Sequence, residues 1–281
     1  MTCTDDFRPS ARQVGRDLHI EIGATELLTQ RVPSDCRPYL HPLRTPDGRT
    51  VLTEDAPPHH PWQHGLYTGL RDVDGEEFWT EGAADGHIRG ELGPVVCDRH
   101  RVRWRVDSSW TAADGRPVLS ERQGWSLRAT PSGYQLDLDW TLSAERVIRI
   151  GTHAYGGLFL RMPVGDPGLV ACLNSEGAGG RDAEGRRARW VALSLPLGSD
   201  ARPAGLAICD HPDNPDHPQA WRIDGQYGVG PSRSILGDWL ITPTDPARAR
   251  YRILPFLGGI DAEAIDTRCR AFATEATESE S

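Results

Sequence analysis

The sequence predicts a nearly all-β protein: a large antiparallel β-sandwich of two sheets with a short C-terminal helix. Three observations carry that expectation. Thirty glycines and twenty-two prolines are spread along 281 residues with little helical periodicity, as many short strands joined by turns require. In YQLDLDWTL, residues 134–142, Tyr134, Leu136, Leu138, Trp140 and Leu142 alternate with Gln135, Asp137, Asp139 and Thr141. That is the period of a strand with one buried face. No repeat of about twenty to fifty residues is present, so a propeller or solenoid is disfavoured.

The elements follow in order. LHIEI and ELLTQRV flank the turn-like GAT near the start. RVRWRVD alternates through Val102, Trp104 and Val106, and VLSERQGWSLRA continues after the turn ADGR. Together with the strand at 134–142 they make an antiparallel run from about 100 to 142. RWVALSL and AGLAICD read as further strands. Near the end, Asp261 can cap a helix on which Ile265, Cys269 and Phe272 recur at i, i+4 and i+7. One domain is expected over residues 1–275, followed by a disordered acidic tail at 276–281.

A formal net charge of −9 disfavours a phosphate-tracking surface, so a small polar molecule is a better partner than a nucleic acid. No run of about eighteen apolar residues could span a bilayer, and MTCTDDFRPSARQ lacks the apolar core of a secretory signal. The expectation is a cytoplasmic protein with no membrane partner. Cysteines 3, 36, 97, 172, 209 and 269 form no CxxC pair and read as reduced thiols serving as small apolar residues.

Two stretches concentrate chemistry. PPHHPWQHGL, residues 57–66, places His59, His60 and His64 within six positions. Its prolines disfavour a helix, so His60 and His64 are not a helical metal pair but lie in a stiff loop leading into a strand. Rigid placement suits acid–base or metal chemistry. After the turn-like DVDG, the strand is expected to return through Phe78 and Trp79. The second stretch, 209–232, carries His211, Asn214, Trp221, Arg222 and Tyr227 among prolines. Amides and arginine can hold hydroxyls there while aromatic rings stack on a sugar. Strict alternation puts Glu121 on the same face as Trp125, where a carboxylate among apolar groups is a candidate acid or base. Walker, GxGxxG, GxSxG and HExxH motifs are absent, so nucleotide, hydrolase-elbow and zincin readings have no support.

The ordered string RPYLHPLRTPDGRTV, HHPWQHGL, DVDGEEFW, NSEG and HPDNPDHPQAW, about residues 37–232, resembles a bacterial family of essentially unknown function. That family is usually labelled PmoA-like, after a methane oxygenase subunit. The label fits poorly, because the membrane copper oxygenase subunit needs several spanning helices. The resemblance implies a galactose mutarotase-like supersandwich. It also implies, through YGGLFLRMP, that Tyr155 and Arg161 belong to the site. Where the family tends to read D-H-P-W-H-H-G, this chain has His59 for the acid and Gln63 for a histidine.

The resulting expectation is a carbohydrate-active enzyme doing acid–base chemistry on a sugar, keto sugar or glycoside, of mutarotase, epimerase, lyase or keto-glycoside hydrolase type. His60, His64 and Glu121 would be catalytic. Tyr155, Arg161, His211, Asn214, Trp221, Arg222 and Tyr227 would bind substrate. One alternative is a divalent metal ion on His60 and His64, completed by one carboxylate or a distant histidine such as His153 or His211. Another is a non-catalytic carbohydrate-binding protein on the same fold.

Overall fold

A computed structural model describes residues 8–198 and 200–275. The expected acidic tail and Cys3 lie outside the described residues. The first nine strands are β1 (Pro9–Val14), β2 (Asp17–Ile22), β3 (Thr25–Arg31), β4 (Tyr39–Leu43), β5 (Leu66–Leu70), β6 (His87–Cys97), β7 (Arg101–Thr111), β8 (Pro117–Thr130) and β9 (Gly133–Ser143). The rest are β10 (Ile148–Ile150), β11 (Gly156–Leu160), β12 (Ala171–Asn174), β13 (Trp190–Leu197), β14 (Arg202–Asp210), β15 (Trp221–Ile223), β16 (Val229–Pro231), β17 (Trp239–Ile241) and β18 (Ala247–Leu257). Helix α1 spans Ala262–Ala273.

Two eight-stranded antiparallel sheets hold most of these strands. The first runs β1-β2-β3-β4-β5-β11-β16-β15 and the second β12-β13-β14-β18-β9-β8-β7-β6, with β10 and β17 as a separate pair. The predicted run from about 100 to 142 is the β7-β8-β9 meander, in which Trp104 pairs with Trp125 and Trp125 with Leu138. Their even-numbered inward residues on β7 meet Leu18, Ile20, Leu40, Leu66 and Leu158 of the first sheet in one core cluster. The expected strand through Phe78 and Trp79 does not form. Val73 and Glu76 make only an isolated bridge, because β5 finds its partner far along the chain, in β11.

Alternation holds at Glu121: both it and Trp125 point inward and are buried. The Glu121 carboxyl accepts from Thr68 Oγ1 at 2.6 Å, Trp110 Nε1 at 3.1 Å, Gln123 Nε2 at 3.1 Å and Trp140 Nε1 at 2.6 Å. Thr68 comes from β5 and the indoles from β7 and β9, so one carboxyl ties the two sheets together through the core. Gln30 of β3 does the same on a smaller scale, accepting from Trp104 Nε1 at 3.0 Å.

The outer face of the second sheet is covered by α1. Asp261 caps the helix by accepting from Ala264 N, and Ile265, Cys269 and Phe272 are its buried residues. They pack on Trp190, Ala192, Ala207 and Leu254. The scattered cysteines are not all free: Cys209 on β14 and Cys269 on α1 form a disulfide with Cα atoms 5.6 Å apart. Spacing in sequence carried no trace of this pair, because β14 and α1 meet only after the sheet has formed. No helix among the described residues is long and apolar enough to cross a membrane.

Two outcomes are expected. Replacing Glu121 by leucine strands several buried donors at about 1–3 kcal/mol each, so urea unfolding should show a loss of about 3–5 kcal/mol. An unchanged midpoint would contradict the inter-sheet role. Under non-reducing conditions Cys209 and Cys269 should resist alkylation in the unfolded protein. Reduction should cost up to about 4 kcal/mol for closing a loop of this length, read as a lower thermal midpoint.

Candidate functional site

Because the inner faces are apolar, the first sheet's polar and aromatic side chains collect on its outer face. Adjacent strands place them in register. Tyr39 on β4 pairs with Tyr67 on β5, and Tyr67 pairs with Phe159 on β11. The three rings make a row across the sheet, joined by Trp62, Trp79 and Tyr155 in one cluster. Trp79 lies 5.1 Å from Tyr155 and 5.5 Å from Tyr67, ring centre to ring centre. Tyr39, Trp62 and Tyr155 remain half-buried, while Tyr67, Trp79 and Phe159 form the floor.

The histidine loop lies against this row. His60 N donates to Pro57 O and Gln63 N to His60 O, two tight turns that the prolines favour. Asp55 and His64 then form an antiparallel bridge, which brings their side chains together. Gly65 follows with φ of 52°, and a Cβ there would lie 2.3 Å from Leu40 O. Only glycine fits, so His64 is delivered to a defined place.

His64 donates through Nδ1 to Asp55 at 2.7 Å and through Nε2 to Glu81 at 3.0 Å, and its ring stacks on Tyr39 at 4.7 Å. With a carboxylate on each nitrogen, both nitrogens carry hydrogen and the ring is an imidazolium. Burial opposes that charge, but the hydrogen bonds to Asp55 and Glu81 outweigh it and hold the His64 pKa above its ordinary value. Burial would likewise raise Glu81, yet His64 and Arg37 carry it down to about 2. Arg37 is buried and donates to Glu81 Oε1 from its backbone N and its Nε, both at 3.0 Å. Its guanidinium crosses β5 where a Cβ on Gly69 would come within 2.4 Å of Nη1. Burial pushes the Cys36 thiol, beside this cluster, up to about 12.

On the other side of the loop, buried Arg161 donates to Glu54 at 3.1 Å, to Gln226 at 3.3 Å and to His59 Nε2 at 2.8 Å. His60 sits edge-on to both His59 and Trp62. Its Nδ1 is buried without a hydrogen-bond partner in the protein, as is the Tyr67 hydroxyl. Burial, then the neighbouring His59 and Arg161, lower the His60 pKa, with Asp224 opposing. His60 is therefore a neutral imidazole at pH 7. Arg222 donates to Glu184 and to the Tyr155 hydroxyl, the latter at 2.9 Å, and its guanidinium lies 4.5 Å from the Tyr155 ring centre.

His60, His64, Tyr155, Arg161 and Arg222 thus share this face. Glu121 and Trp221 do not: Glu121 is the inter-sheet hub, and Trp221 is fully buried with Nε1 donating to Ala188 O. Alternation on β15 explains the latter, since Arg222 points out and its neighbour must point in. His211 and Asn214 belong to the α1 side. His211 stacks edge-on to Phe272 and bonds Arg250, while Asn214 holds Asp210 and the Arg250 backbone. Tyr227 has φ of 56° in the turn after β15 and packs on the inter-sheet core. His153 accepts from Tyr155 N and stacks on its ring.

Among the described residues one trio of ligand-type side chains converges, and it is Cys36, His64 and Glu81, not His60 with His153 or His211. Sequence reasoning missed Cys36, Arg37, Tyr39, Asp55, Tyr67, Glu81 and Asp224. Alternation marks Tyr39 as facing away from Leu40 in YLHPL and Tyr67 as facing away from Leu66 and Leu70 in LYTGL. Nothing local marks the carboxylates.

Residues 18–270 match the model of a family described as DUF6807, a family of unknown function. The motif string points to such a family, but that description carries no methane-oxygenase label. No curated protein matches. Among solved structures, a galactose mutarotase-like protein from Clostridium acetobutylicum is similar at 8% identity with a TM-score of 0.48, over 90% of this chain and 100% of that one. The GH36 alpha-galactosidase AgaB from Geobacillus stearothermophilus is similar at 8% identity with a TM-score of 0.46, over 89% of this chain. This chain spans 41% of that galactosidase's length.

The two histidines should titrate in opposite directions in chelator-treated protein, followed by imidazole NMR. His64 should keep its proton above pH 6.5 and His60 should lose its own below 6.5. The His64 pairing stabilises the fold fully below pH 6.5 and is lost as pH rises through the raised value. The Glu81 contribution is present above pH 4.5 and lost as pH falls towards about 2. Equal midpoints for the two rings would contradict the assignment.

Proposed function

Because the chain belongs to the DUF6807 family, whose function is unknown, its chemistry has to be read from side chains, and we propose a carbohydrate-active enzyme that moves protons on a sugar, keto sugar or glycoside. The observation that carries this reading is the row of aromatic rings on the outer sheet face beside a neutral imidazole and two anchored guanidinium groups. The half-buried rings of Tyr39, Trp62 and Tyr155 can stack on the apolar face of a pyranose, and half-buried Arg222 can donate to its hydroxyls, while buried Arg161, engaged with Glu54, Gln226 and His59, anchors the histidine loop. Mutarotation, epimerisation, elimination and keto-glycoside cleavage all need a proton taken or given next to an oxygen or carbonyl.

His60 is the group for that transfer, since its lowered pKa leaves it neutral and its ring is only half-buried. His64 is a positioning residue. Both its nitrogens are occupied by Asp55 and Glu81, so it holds the carboxylates and the Tyr39 ring in place. Tyr155, with its hydroxyl on Arg222, is the second polar contact for the substrate. The non-catalytic alternative uses the same aromatic row and leaves His60 without a role.

The test is deuterium incorporation from heavy water, anomer interconversion by NMR and product analysis over a panel of aldoses and keto-glycosides. Wild-type protein should exchange, anomerise or cleave one class. His60→Ala should slow that reaction by about 10²–10⁴ while affinity changes by less than about tenfold. Full activity in the variant would remove His60 from the mechanism. Tight binding by wild type with no exchange, anomerisation or cleavage would make the protein a carbohydrate-binding module.

A further inference from the structure

Cys36, His64 and Glu81 lie on three separate segments, before β4, before β5 and within the irregular stretch between β5 and β6, yet their ligand atoms lie within 4.8 Å of one another. We infer that they form a binding site for a zinc-class transition-metal ion, distinct from the acid–base chemistry assigned to His60. A thiolate, an imidazole and a carboxylate are a mixed soft and borderline set that suits Zn²⁺ or Co²⁺ and not Mg²⁺ or Ca²⁺. Three protein ligands leave one position of a tetrahedral ion open, as in sites that activate water or polarise a carbonyl.

The surrounding bonds hold each ligand in the required orientation. Asp55 accepts from His64 Nδ1 at 2.7 Å, the carboxylate partner that fixes a metal-bound histidine with Nε2 directed at the ion. Asp55 is itself held by the Tyr39 hydroxyl at 3.0 Å. Arg37 occupies Glu81 Oε1, which leaves Oε2 directed at Nε2, 3.0 Å away. In the metal-free protein the Nε2 proton bridges that gap. Metal entry displaces this proton and the Cys36 thiol proton to solvent, forming one metal–nitrogen, one metal–sulfur and one metal–oxygen bond without redox change.

The experiment uses the full chain with the Cys209–Cys269 disulfide intact, stripped with chelator, kept free of oxygen and titrated with Zn²⁺ and then Co²⁺. The expected result is about one ion bound per chain, with a near-ultraviolet thiolate-to-cobalt charge-transfer band that Cys36→Ser abolishes. Asp55→Asn should weaken Zn²⁺ affinity by about 10–100-fold. A second readout avoids variants: Zn²⁺ should protect Cys36 of the wild type from alkylation, reversibly with chelator, while half-buried Cys172 reacts equally with and without metal. Absence of stoichiometric binding, a band that survives Cys36→Ser, or alkylation of Cys36 indifferent to Zn²⁺ would each overturn the site. None of these readouts depends on turnover, so they stand apart from the fate of the His60 proposal.

Discussion

A strand can give only every second side chain to the space between two sheets, and the placement of the strand-borne groups here follows from that limit. On β5, Leu66, Thr68 and Leu70 enter the core while Tyr67 and Gly69 face outward. On β11, Leu158 and Leu160 enter while Phe159 leaves. The inner face is committed to apolar contact, so the polar candidates of the first sheet gather outside. Where a carboxyl does enter, at Glu121, four donors meet it, because a buried acceptor left unpaired would cost more than the fold can spare.

The outer face is organised by a chain of charge. Arg37 holds Glu81, Glu81 and Asp55 hold His64 between them, and Asp55 reaches Tyr39. Each member depends on its neighbours for compensation, so the segments carrying them are fixed relative to one another despite being loops. Gly65 and Gly69 permit the close approaches this needs. A rigid loop platform over a sheet is the arrangement expected where side chains must keep a geometry for a ligand.

The acid–base and metal readings concern neighbouring halves of one face. His60 lies beside His59, Trp62 and Arg161, whereas His64 belongs to the carboxylates. Their crowding into one proline-stiffened loop groups them in the sequence as members of one site. The turn between them sends one ring outward and the other down, which separates a neutral imidazole from a charged one.

Local patterning in the sequence by itself determined the β-class, the β7-β8-β9 meander and the inward direction of Glu121 through period-two alternation, and the C-terminal helix through its cap and 3.6-residue period. It also marked the histidine loop, since prolines act on their own neighbours. Only the tertiary structure decided that His211 and Asn214 leave the face occupied by Arg222, and that Cys209 meets Cys269. It alone brought Cys36, Asp55 and Glu81 to His64. Those outcomes depend on which distant strands pair, β5 with β11 and β14 with β18, and long-range pairing leaves no period in the residues that it brings together.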